Sequence, residues 1–196
     1  MILQQNFESQ LDNIINILAY KYGKELSEIK SLISLKRLYN RYISEMHNID
    51  FTDFSTTIVT EKKRSKKLLS IFNGDVISSL DDRNQVNLIN NKIINRDLEK
   101  EYGVINNALE QIKKISEEYF TLFNLIINEI FIFPAEGARG GSSSTAVGLI
   151  WANPKFDTPL NDTMEFMIHE LTHNCMFIDE IRYGHYHYNE IIKEES

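Results

Sequence analysis

The chain has one cysteine, Cys175, three prolines, eight glycines and one tryptophan in 196 residues. A single thiol excludes an internal disulfide framework and a cysteine-built zinc knuckle. No run approaches 18 consecutive apolar residues, so no membrane-spanning helix is expected. The first residues, Met1 to Glu8, lack a basic segment followed by an apolar one and do not read as a signal peptide. The expectation is a soluble, cytoplasmic protein with no membrane partner. Positive charge is also scarce: 21 basic residues stand against 28 acidic ones, a net charge of −7. That balance argues against a nucleic-acid binder relying on bulk charge. With 42% hydrophobic and 25% charged residues, the composition is globular, and a chain this long can bury roughly 70% of its unfolded surface.

Proline and glycine are unevenly placed. Residues 1 to 133 contain no proline and only Gly23, Gly74 and Gly103, which suits helices. Phe7, Leu11, Ile14 and Leu18 recur at helical intervals. Leu35, Leu38 and Tyr42 mark a second helix, and Val86, Ile89 and Ile93 a third. A long helix is expected from about Val104 to Ile130, with Ile105, Leu109, Ile112, Tyr119, Phe123 and Ile126 on one face. The three glycines fall where helices should stop. Asn48 to Thr60 has no helical period and reads as a loop. Lys62, Lys63, Arg64, Lys66 and Lys67 form a basic cluster, read as a solvated helix face rather than a phosphate site.

From Ile130 the texture changes. Phe131 to Pro134 reads as a short strand halted by proline. Gly137 to Thr145 is a Gly- and Ser-rich loop, too flexible for an element; it is either a loose connection or a substrate-ordering lid. Ala146 to Ala152 reads as a strand closed by Asn153-Pro154. The fold class is therefore α+β and mostly α-helical. A helical region (1–129) precedes a small sheet and a metal-site region (130–196), and the two can form one continuous domain.

Residues 169 to 173 spell His-Glu-Leu-Thr-His. At this composition, random order gives roughly 0.01 such matches per chain. Four of the five histidines, His169, His173, His185 and His187, lie in the last 28 residues. Asp162 and Glu165 form a candidate capping box for a helix after Pro159, with Ile168, Leu171, Cys175 and Ile178 as its buried stripe. On that helix His169 and His173 project from the same side, about 6 Å apart. Two neutral imidazoles so placed can hold one divalent metal, most often zinc. Glu170 is then beside the metal and suited to general acid–base work. Cys175 on the stripe reads as core.

Met167 to Asn174 resembles the active-site helix of the zincin metallopeptidases. The resemblance covers about 50 C-terminal residues and implies a zinc-dependent hydrolase acting on a peptide or protein, with Glu170 as general base. It also implies an edge strand that pairs with the substrate backbone, the place occupied by Ala146 to Ala152. A third metal ligand is then required. The metzincin pattern places one at Asp179, but Met176 stands where that pattern needs glycine. The gluzincin pattern takes a glutamate from a following helix. A helix returning antiparallel after Tyr183-Gly184 brings Glu194 level with His173 and Glu190 level with Phe177. Glu194 is the first choice, with Glu190, His185 or a residue beyond Ser196 as alternatives. Glu180, about 10 Å beyond His173 along the helix, is too far to share its metal. His185, Tyr186 and Tyr183 are candidates for stabilising charge on a substrate carbonyl, or for a packed aromatic corner.

The same helix is similar to HExxH proteins of ribosomal peptide modification. These include enzymes proposed as iron(II)- and 2-oxoglutarate-dependent peptide hydroxylases. Iron(II) suits the same ligands, and Arg139 or Arg182 would hold the distal carboxylate. A metal-free interaction scaffold is the non-enzymatic alternative. The oligomeric state is not legible in the sequence.

Overall fold

The structure is a computed structural model and describes residues 6–23, 29–72, 98–133, 140–155 and 157–184. In chain order the described elements are α1 (Phe7–Tyr22), α2 (Leu32–His47), β1 (Thr57–Val59), α3 (Lys62–Phe72), α4 (Leu98–Ile115), α5 (Glu117–Ile126), β2 (Glu129–Ile132), β3 (Gly140–Gly141), β4 (Leu149–Ala152) and α6 (Leu160–Tyr183). The class is α+β, mostly helical, as the proline and glycine distribution implies. None of the described helices is long and apolar enough to cross a membrane.

The sheet runs in the order β1-β2-β4-β3. β1, β2 and β4 are parallel, and β3 is antiparallel to β4. Every residue of β2 and β4 is buried, which is why these strands read as unbroken apolar runs rather than alternating ones. One hydrophobic core draws Ile14 and Leu18 from α1, Ile105 from α4, Ile130 and Phe131 from β2, and Leu171 and Cys175 from α6. The site helix α6 packs against α4, α1 and α5.

Several sequence expectations change. The segment 48–60 contains strand β1, because Thr57 to Val59 align with Glu129 to Phe131 across the sheet. A three-residue strand is too short to show a period. The long helix expected from Val104 begins earlier, at Leu98, and runs through Gly103. It breaks at Ser116, whose extended backbone and side-chain acceptance of the Tyr119 N–H start α5 as a new helix. Gly23 does end α1. Gly74 and the helix expected around Val86 to Ile93 lie outside the described residues.

In the basic cluster, Arg64 is not solvated with its lysine neighbours. Its guanidinium forks onto the Glu129 carboxylate, with Nη2 to Oε1 at 2.8 Å, and also reaches the Asp50 carbonyl. Arg64 thus ties α3 to the start of β2.

Lys36 is 3% exposed. Its Nζ donates to the carbonyls of Leu125 and Ile127 and to Asn128 Oδ1, at 3.1, 3.4 and 3.5 Å. It satisfies carbonyls left open where α5 ends. Burial pushes the ammonium down to about 7. The unfolded chain holds that proton to about pH 10.4, so from pH 7 to 10 the unfolded state binds more protons. Stability is therefore expected to rise with pH across this window. Chemical denaturation at pH 7.5 and 9 checks it: the gain should be present in the natural chain and absent in Lys36→Met.

Candidate metal centre

Helix α6 starts at Leu160 after Pro159, and no side chain caps its first turn. The expected Asp162–Glu165 capping box does not form. Proline supplies the entry geometry instead, and Thr163 Oγ1 bonds back to the Pro159 carbonyl. The helix ends at Tyr183, where Gly184 takes the left-handed conformation and donates to the Glu180 carbonyl at 2.7 Å.

The buried stripe of α6 is Thr163, Met167, Glu170, Leu171, Asn174, Cys175 and Ile178. Ile168, expected there, is half-buried, and three polar residues stand on the stripe. Burial pushes the Cys175 thiol far above its ordinary range, as a core residue requires. His169 and His173 lie on the flank, the first exposed and the second half-buried. Their Nε2 atoms approach to 2.9 Å, and the rings meet edge to face, with centroids 4.5 Å apart. Phe177, one turn on, stacks on His173.

Glu170 is 5% exposed, and its Oε2 is buried with no hydrogen-bond partner. A carboxylate oxygen taken from water without replacement is costly. Such an orphan beside a convergent imidazole pair fits a site shaped for a further polar species. The donor set agrees: tetrahedral zinc holds two imidazole nitrogens about 3.3 Å apart, a slight opening of the distance found.

Asn174 explains why the helix sits where it does. It is fully buried and uses each polar atom. Oδ1 accepts from Gly148 N at 2.8 Å, while Nδ2 donates to Ser142 Oγ and to the Glu170 carbonyl, both at 3.0 Å. One side chain thus ties the turn from Glu170 to Asn174 to both ends of the β3–β4 connection. The sequence carries a signal for it, an asparagine four residues after Glu170 and in step with Leu171 and Ile178.

The edge strand is elsewhere than expected. Ala146 ends a single 3-10 turn (Ser144–Ala146), Val147 and Gly148 form a turn with Gly148 at φ +83°, and the strand is only Leu149–Ala152. β4 is internal, paired on both sides. The outer strand is Gly140–Gly141, inside the segment read as a flexible loop. At Gly140 the chain lies directly on β4 and α6. A methyl there would collide with the Trp151 carbonyl and stand 2.7 Å from Phe166 Cζ.

Asp179 is not a metal ligand in this arrangement. Its Oδ1 accepts from Gln10 Nε2 and Asn13 Nδ2 of α1. Arg182 likewise binds Asp12, at 2.8 Å, and Asn13, so α1 occupies one of the two cations expected for a 2-oxoglutarate carboxylate. Tyr183 is exposed at the helix end, with the Arg182 guanidinium over its ring. Glu194, Glu190, His185, Tyr186 and Arg139 lie outside the described residues. Among the described residues, no group of three or more His, Cys, Asp or Glu side chains is placed to hold a metal ion. Protein-family models and curated proteins give no match to the chain.

Proposed function

We propose that the chain is a metal-dependent enzyme acting on a peptide or protein, with zinc held by His169 and His173 and peptide hydrolysis as its reaction. The observation that carries this reading is the buried, unpartnered Glu170 carboxylate one residue from the converging imidazoles. Bound zinc would supply Lewis-acid polarisation of the scissile carbonyl. The chain's own residues do the rest. Glu170 takes a proton from the attacking water at its unpartnered oxygen and returns it to the leaving amine. Low exposure keeps the carboxylate out of bulk solvent, and its interactions are stronger in that buried setting than in water. Asn174 and Ser142 hold the helix against β3. Among the described residues β3 pairs only with β4, and its outer edge is the place proposed for an extended peptide.

Protein purified without added metal is expected to carry one zinc per chain by elemental analysis, and His173→Ala should lose it. A chelator should stop cleavage of a peptide mixture, and zinc should restore it. Iron in place of zinc, with oxygen uptake dependent on 2-oxoglutarate, would move the assignment to a peptide hydroxylase. Absence of any bound metal would overturn both and leave the scaffold reading.

A further inference from the structure

Immediately before His169, one face of α6 forms the wall of an open cavity of about 720 Å³, whose other walls come from the end of β4 and the connection to α6. Asp162, Glu165, Phe166 and His169 line it at helical spacing, so the stripe that ends in a candidate metal ligand begins in this cavity. Its lining is uneven in charge. Among the described residues of the lining, Asp157, Asp162 and Glu165 contribute three carboxylates against the one ammonium of Lys155. Apolar surface lies beside them in Phe166 and Pro159. Among the described residues none of the three carboxylates is in an ion pair.

We infer that this cavity receives a basic side chain, lysine or arginine, of the peptide that the metal centre acts on. The inference rests on the proposed peptide substrate and adds its class. Glu165 is one turn, about 6 Å, from His169, and Asp162 about 10 Å. An extended lysine side chain carries its ammonium roughly 6 Å from its Cα. A residue with its backbone at His169 therefore brings its charge level with Glu165, and its methylene stem lies along Phe166. The opposite preference has one argument: the first-turn N–H groups of α6 have no side-chain cap and favour an anion. A helix end amounts to about half a positive charge, and the described residues of the lining, three carboxylates and one ammonium, carry a net charge of −2. The cation wins.

The test is equilibrium binding by fluorescence polarisation. Labelled, end-blocked hexapeptides differ at one position, carrying lysine, arginine, norleucine or glutamate, and are added to the full-length Glu170→Gln chain so that none is cleaved. Lysine and arginine peptides should bind about five-fold or more tightly than the norleucine peptide, the upper range for partly exposed ion pairs, and lose that advantage at high salt. The doubly substituted Asp162→Lys, Glu165→Lys form should prefer the glutamate peptide. Equal binding of lysine and norleucine peptides, a preference for glutamate in the unreversed chain, or no binding by any peptide overturns the inference. Hydrolysis stands or falls separately. Lysine preference without cleavage by the natural chain sinks the hydrolase and leaves the pocket. Cleavage indifferent to basic residues does the reverse.

Discussion

Glu170→Gln is expected to lower peptide turnover by about 100- to 10,000-fold, the usual contribution of a positioned acid–base group, while zinc content stays at the natural level. The carboxylate is not one of the proposed ligands; it belongs to the buried stripe of α6, with Leu171 and Asn174 as its neighbours there. Its removal therefore leaves both imidazoles in place. Glutamine preserves the shape and takes away only the ability to accept and return a proton. The fold should not weaken either, because the replaced oxygen has no partner to lose. Elemental analysis, denaturation and single-turnover cleavage on the same preparation separate these effects. Full activity in the substituted chain would remove Glu170 from the chemistry.

Gly140→Ala and Gly141→Ala, adjacent residues in one two-residue strand, are expected to differ sharply. At Gly140 the backbone has φ +135°, and a methyl would meet the Trp151 carbonyl, the Ala152 backbone and the Phe166 ring. Of these only the ring has freedom to move; the two backbone contacts do not. Backbone strain and overpacking each cost about 1–3 kcal/mol, so a loss of about 3 kcal/mol or more is expected. Relief comes by lifting β3 off β4. At Gly141 nothing lies within 4 Å of the same position, and φ is outside the left-handed region. Its alanine should change stability by less than about 1 kcal/mol. If β3 is the strand that pairs with substrate, as proposed, Gly140→Ala should also abolish turnover, whereas Gly141→Ala should spare the fold. Equal denaturation midpoints for the two variants would refute the account.

The parts of the site legible in the sequence are those set by local geometry. His169 and His173 converge because four residues make one turn, and helical period needs no tertiary information. Gly184 stops α6 for an equally local reason. What escaped the reading depends on distant partners. Gly140 and Gly141 form a strand only because β4 lies beside them, and two glycines have no pattern of their own. The burial of Glu170 and Asn174 is decided by the β3–β4 connection. Asp179 stands six residues after His173, where one metallopeptidase pattern has a ligand, yet Gln10 and Asn13 of α1 claim it. Ser116 breaks a helix whose apolar stripe continues through the break, so periodicity alone carried the expectation past it.

The Asn13–Asp179 contact joins residues 166 positions apart. Synthesis places α1 well before α6, and although α2 and α5 also pack on α1, its contact with α6 has to wait for the intervening chain. Contacts of such sequence separation slow folding, and an uncovered apolar face invites self-association meanwhile. A ribosome-bound chain thus carries α1 without its α6 partner for that interval, and a chaperone that holds α1 until α6 is made would raise the yield of folded protein.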